Sequence, residues 1–266
     1  MLELYQFELS QFSEKVRLIL DYKGLEYRKI EVTPGVGQLD VYRMSGQRQV
    51  PVLKDGDTVV TDSTEIALYL ERKYPEKPIL PTDPKQKGLC LLMEEWADEA
   101  IGVKARQVIV GALNKYPNFR TSILPKETPD VLKSLVGAVP AEFLDLLGTG
   151  VGLGGEPLKK AENALKQNLE ALCLILEDNP YLVGDEPTLA DLTVAGLSIS
   201  LKLPEGNYFD VPEELKGKGI PGLADNSAYE PFFAWRDRLY AEYRSTSGSS
   251  FSTDSGDSSP TSIEIE

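Results

Sequence analysis

The sequence predicts a small α/β unit followed by an all-helical one. Between residues 2 and 74, short strand-like runs alternate with helix-like spacings. At residues 75–84 the segment PEKPILPTDP places four prolines in ten residues, which halts a helix and makes a stiff, extended connector. Beyond it, the segments with clear apolar periodicity have helical spacing.

The elements follow in order. Residues 2–7 are a short apolar-rich run suited to a strand. Residues 13–23 repeat apolar side chains at Val16, Ile19 and Leu20, the i, i+3, i+4 face of a helix, which Gly24 ends. Residues 27–32 alternate as a second strand. Residues 50–53 and 58–60 are strands around Lys54-Asp55-Gly56-Asp57, whose Asp-Gly marks a hairpin turn. Residues 62–74 return to helical spacing through Ile66, Ala67 and Leu70. The first unit is thus β-α-β, an irregular segment, then β-β-α. In the second, helices are expected over 85–111, parts of 129–147, 158–178, 189–201 and 229–243. From Ser245 to Glu266 the chain is Ser-rich, has no basic residue and few apolar anchors, and is expected to be disordered. The expected layout is an α/β domain at 1–75, a linker at 76–84, a helical domain at 85–244 and a tail at 245–266.

Composition narrows the chemistry. The 266 residues are 41% hydrophobic and 26% charged, as in soluble globular chains that bury a substantial core. Residues 1–80 carry 11 basic and 13 acidic side chains, so most of the net charge of −14 falls on the rest of the chain. That acidic surface disfavours nucleic acid and anionic membranes as partners. With no histidine, the usual triads, imidazole bases and His-ligated zinc sites are unavailable. Cys90 and Cys173, far apart and inside apolar helical patterns, read as buried free thiols. There is no signal-peptide pattern and no apolar run approaching ~18 residues, so a cytoplasmic protein is expected.

Four motifs stand out. Gly148-Thr-Gly-Val-Gly-Leu-Gly-Gly155 contains a formal G-x-G-x-x-G, but a helix-like segment precedes it where a dinucleotide site needs a strand, so it reads as an interhelical loop. Asp62-Ser63-Thr64-Glu65 fits a capping box, and Thr188-Leu-Ala-Asp191 is a related helix start. Val50-Pro51 puts proline at the opening of a strand, a position tolerated at an edge.

In this order and spacing, LSQFSEKVRLIL, GQRQVPVL, DSTEIALYLE and PYLVGDEPTLADLTVA resemble the glutathione transferase superfamily across residues 1–243. The first motif is similar to that of its serine-type, zeta- or omega-like members. The resemblance implies a thioredoxin-like N-terminal domain, a helical C-terminal domain and a homodimer. It also implies a glutathione S-transferase conjugating the glutathione thiolate to small, apolar, soft electrophiles, with glutathione as co-substrate and no metal or redox cofactor. By the same resemblance Val50 offers its backbone groups to the cysteinyl part of glutathione, with Pro51 in cis behind it. Asp62 and Ser63 hold the γ-glutamyl end. Gln38 and Gln49 face either glutathione or solvent. Ser10 either donates to the thiolate or simply caps the first helix, leaving backbone amides to hold the sulfur. Ser13, at the second position of a C-x-x-C-like spacing, caps or packs the helix start. The Thr188/Asp191 box supports folding rather than catalysis.

Two departures from the family pattern matter. Tyrosine-type members place their tyrosine where this chain has Gln6, and Tyr5 lies on the opposite strand face. Related members carry proline or a small residue directly after the first Ser or Cys, where this chain has Gln11. These departures, with a long segment at 112–157, keep open a non-catalytic protein of the same fold that binds apolar ligands. The Ser-x-x-Ser keeps open a glutathione-dependent maleylacetoacetate-type isomerase.

Overall fold

The computed structural model describes residues 1–32, 37–115 and 156–246. It begins with β1 (Leu2–Gln6), α1 (Gln11–Lys23), β2 (Tyr27–Glu31), α2 (Gly37–Ser45), β3 (Val52–Asp55), β4 (Thr58–Thr61) and α3 (Ser63–Lys73). The sheet order is β2-β1-β3-β4, with β1 parallel to β2 and antiparallel to β3, and β3 antiparallel to β4. This is a thioredoxin-like arrangement. The parallel pair needs the α1 crossover, and the β3–β4 pair turns tightly through Gly56 at φ 60°. Alternation along β1 sends Leu2, Leu4 and Gln6 to the buried face.

The helical part contains α4 (Pro84–Ala97), a π-helical segment (Asp98–Val103), α5 (Lys104–Lys115), α6 (Glu156–Leu176), α7 (Leu189–Leu197) and α8 (Glu230–Tyr243), with a 3-10 turn at Ser198–Ser200. Every residue of α7 is buried, as its nearly uniform apolar sequence dictates. It crosses α1 closely at Gly196, where a Cβ would stand 2.7 Å from the Lys15 Cα. One apolar core therefore runs from Leu4, Leu18 and Ile19 through Leu192 and Val194 to Phe232 and Tyr240.

With the sheet on one side and helices on the other, α1 buries its charged residues as well. Glu14, Lys15 and Arg17 are fully buried, and each is paired. Arg17 donates to Glu14 at 2.5 Å and to Glu8 at 3.0 Å, while Arg244, just past α8, donates to Glu14 at 2.9 Å and to Asp21 at 2.6 Å. Burial alone would raise the Glu14 pKa, but the two guanidiniums outweigh it and hold the carboxyl below its usual range. Lys15 bonds Glu94, Asp98 at 2.9 Å and Thr64 at 3.0 Å, joining α1 and α3 to the end of α4 and the start of the π-helical segment.

Three expectations are corrected. The segment read as irregular before Val50 contains α2, which escaped notice because Val41 is its only buried residue, so no apolar stripe marks it. The single helix expected over 85–111 is interrupted by the π-helical segment. The 189–201 helix ends at Leu197 and passes into the 3-10 turn. The Gly-rich loop at 148–155, the helical spacing within 129–147 and most of the 112–157 segment lie outside the described residues. So does the tail beyond Thr246; Ser245 donates its N–H to Asp21 at 3.1 Å.

Candidate active site

The start of α1 is set by Ser10. Its backbone is extended (φ −76°, ψ 114°) and its Oγ accepts from the Ser13 N–H at 3.3 Å. That bond is long and Ser10 is only half-buried. A hydroxyl that accepts an N–H still has its own O–H to donate. Behind it, the unpaired amides of α1 make a region of partial positive charge. Ser13 differs. It is fully buried, and its hydroxyl has no partner among the described residues, so it packs the helix start without capping it.

Ser10 opens onto a cleft of about 480 Å³. Phe7, Leu9, Phe12, Gln38, Arg48, Gln49 and Val50 line it from the α/β part, and Arg106, Ile109 and Ser200 from the helical part. Its described lining has two arginines and no carboxylate, in a chain of net charge −14. Arg106 is exposed and makes no ion pair with any described residue. The Val50–Pro51 peptide bond is cis. The Val50 N–H and C=O join none of the turn and cap bonds between backbone groups of the described residues. Gln49 is exposed and Gln38 half-buried on α2.

Asp62 and Ser63 stand at the start of α3, outside the described lining of that cleft. Among the described residues Asp62 is the one non-glycine with positive φ (70°), a conformation that costs roughly 1–2 kcal/mol. Its carboxylate accepts from the Thr64 N–H at 2.8 Å and the Glu65 N–H at 3.2 Å. The reciprocal half of the expected capping box is missing. Asp62 lacks the extended backbone such a cap uses, and the exposed Glu65 side chain makes no bond back to it.

The structure thus groups Ser10, Gln38, Gln49 and Val50 around one cleft, with Pro51 buried behind Val50 and the Asp62–Ser63 pair at a separate helix start. Gln6 is turned away. It is buried, donates to Glu31 at 2.7 Å and Glu8 at 3.1 Å, and accepts from Arg17. Neither Tyr5 nor Trp96 lines the cleft; Trp96 packs on the core. Sequence reasoning missed Phe7 and Leu9, each 40% exposed, although two apolar residues on a loop flanking a helix cap were a readable signal. It also missed Phe12, Arg48, Ile109 and Ser200. No group of three or more His, Cys, Asp or Glu positioned to hold a metal ion occurs among the described residues. No described helix is long and apolar enough to cross a membrane.

Residues 4–78 match the glutathione S-transferase N-terminal domain, and residues 154–201 match the glutathione S-transferase C-terminal domain. A glutathione S-transferase of Triticum aestivum is 42% identical over 192 residues, covering 72% of this chain and 74% of that one. The chain belongs to the glutathione transferase superfamily. A second relative, a maleylpyruvate isomerase of Ralstonia sp., is 30% identical over 193 residues, covering 71% of this chain and 77% of its own length. Among solved structures, the beta-etherase LigF of Sphingobium sp. strain SYK-6 superposes with a TM-score of 0.66 at 23% identity, over 90% of this chain and 95% of that one. That likeness shows a shared fold.

Proposed function

We propose that this transferase binds glutathione along the cleft and the start of α3, and ionises its thiol at Ser10 for attack on a soft electrophile. The observation that carries the reading is the half-exposed Ser10 cap. It has one long bond and a spare O–H at a helix N-terminus, facing a cleft with apolar walls. A thiol pKa near ~8.5 leaves little thiolate at neutral pH, so an O–H donor and the helix amides together increase the nucleophile. The thiolate then forms a C–S bond to the electrophile, whose leaving group departs with the bonding pair. The Val50 backbone groups, which make no backbone bond among the described residues, suit the cysteinyl peptide, and Asp62 with Ser63 suits the γ-glutamyl ammonium and carboxylate. Glutathione-dependent release of halide from an aryl halide tests the reading. Binding of glutathione without turnover of any electrophile would favour the apolar-ligand binder instead.

A second reading, glutathione-dependent cis–trans isomerisation, is supported by Arg106 at the cleft, which forms no ion pair with any described residue and suits an anionic substrate. The 30% identity to a maleylpyruvate isomerase points the same way. Conversion of maleylpyruvate with no net consumption of glutathione distinguishes it from conjugation. The proposal includes a cytoplasmic homodimer and a domain division at residues 76–84. The exposed Leu89 (46%) and Leu92 (71%) on α4 support a subunit contact, which light scattering after size exclusion checks.

A further inference from the structure

Gln11 is 5% exposed, and its amide joins three parts of the molecule. Nε2 donates to the Gly102 carbonyl at 2.5 Å, and Oε1 accepts from the Ser200 hydroxyl. Because a carbonyl only accepts, the nitrogen must face Gly102, and the oxygen is left for Ser200.

The Gly102 carbonyl belongs to the π-helical segment, whose wider turn departs from the regular i→i−4 ladder. Another carbonyl of that segment, Ala100, is likewise met by a side chain, Asn168 Nδ2 at 2.9 Å. Position 102 is tightly enclosed: a Cβ would stand 3.0 Å from Phe12 Cζ and 3.3 Å from Leu197 Cδ2. The first turn of α1 is therefore seated directly on the π-turn. Positions 106 and 109 lie one and two turns further along the same helical face, and Arg106 and Ile109 line the cleft with Ser10.

We propose that Gln11 is a positioning residue that determines how the site receives the electrophile. Its amide ties the turn carrying Ser10 to the turn that presents Arg106 and Ile109, and so fixes the space left for a substituent on the sulfur. The inference rests on the reading of Ser10 as the thiolate partner. A merely structural pin would weaken the fold or weaken all ligands alike. A positioning role should instead separate glutathione from a glutathione thioether.

The test is calorimetric titration of the full-length protein and its variants with glutathione and with S-hexylglutathione, whose alkyl chain occupies the electrophile end. For Gln11→Ala we expect glutathione Kd to stay within about twofold while S-hexylglutathione Kd rises about tenfold, the size of a lost hydrogen bond and a small misplacement. Ser200→Ala, which removes one bond and leaves the Gly102 contact, should shift the same ratio about threefold. An unchanged ratio in Gln11→Ala, or an equal loss for both ligands, overturns the inference. If Gln11→Ala does not fold, Ser200→Ala decides, and an unchanged ratio there overturns it. A wild-type protein that binds neither ligand refutes the glutathione reading and this inference with it. One that binds both with no change of ratio in the variants refutes the inference alone.

Discussion

The starts of α7 and α1 are built from the same local device and differ in what surrounds it. At α7 the Asp191 carboxylate is completely buried. It accepts from the Leu182 N–H at 2.7 Å and from the Thr188 N–H and hydroxyl, each at 2.8 Å. At α1 the Ser10 hydroxyl is half-exposed, accepts one bond at 3.3 Å and borders a cleft. The start of α3 lies between these extremes, with Asp62 exposed and accepting two backbone N–H groups. A sealed cap commits its bonding capacity to the fold. An open one keeps part of that capacity for a ligand.

The largest effect should come from breaking the sealed cap. Asp191→Ala strands the Leu182 and Thr188 amides in the interior, each costing about 1–3 kcal/mol, so unfolding free energy should fall by about 2–6 kcal/mol. Turnover per folded molecule should stay near wild type. Denaturant titration and activity at matched folded fraction check both halves, and lost turnover in a fully folded variant would contradict the assignment. Burial also pushes the Asp191 pKa up to about 6 despite its hydrogen bonds. The native state therefore holds this proton more tightly than the unfolded chain does, whose carboxylate titrates near ~3.9. The stabilisation linked to that proton is present below about pH 4 and is lost as pH rises through about 6. The stability gap between wild type and Asp191→Ala should accordingly narrow from about pH 4.5 to about pH 7. A gap that widened with pH would mean the carboxylate is stabilised as an anion.

At the intermediate cap the balance should tip toward ligand. Asp62→Ala removes a charge partner worth about 1.5–3 kcal/mol, so glutathione should bind at least about tenfold more weakly by calorimetry. Loss of the two cap bonds should cost the fold about 1 kcal/mol. Equal losses of stability and affinity would make α3 resemble α7 and remove the contrast.

The difference between these caps was only half legible in the sequence. Ser10, Asp62, Thr188 and Asp191 announced themselves because a cap is local, written within four residues. The same holds for the Gly24 stop and the turn at Gly56. What seals one cap and opens another is tertiary. Leu182 reaches Asp191 from nine residues away, and the bond between Ser200 and Gln11 spans 189. The π-turn under Gln11 leaves no mark in apolar periodicity, and the burial of the α1 charges depends on partners far along the chain: Arg244 lies 230 residues from Glu14 and Glu94 lies 79 from Lys15. The residues proposed to hold glutathione were singled out through a family pattern; the far wall of the cleft was not, because it comes from helices whose facing depends on packing.

The open cap should respond through chemistry more than stability. Ser10→Ala removes a weak cap bond, costing about 0.5–1 kcal/mol, and leaves glutathione affinity nearly unchanged. The bound thiol's pKa should rise, so turnover at neutral pH falls and recovers at higher pH. Ultraviolet titration of the thiolate reads this directly, and an unmoved pKa would transfer the role to the backbone amides.

The smallest effect sharpens the contrast most, because it concerns a serine three positions away. Ser13 faces inward, fully buried, with a hydroxyl that has no partner among the described residues. A buried hydroxyl without a partner costs free energy that an alanine methyl does not, and alanine is also the better helix former. Ser13→Ala should therefore leave stability unchanged or raise it by up to about 1 kcal/mol. Thiol pKa and turnover should match wild type, because the backbone N–H that Ser10 caps is retained. Thermal melting with thiolate titration on Ser10→Ala, Ser13→Ala and the double variant separates the two hydroxyls. A Ser13→Ala protein that loses more than about 1 kcal/mol, or whose thiol pKa rises, would show that the buried hydroxyl has a working partner, and that burial alone does not separate the two serines.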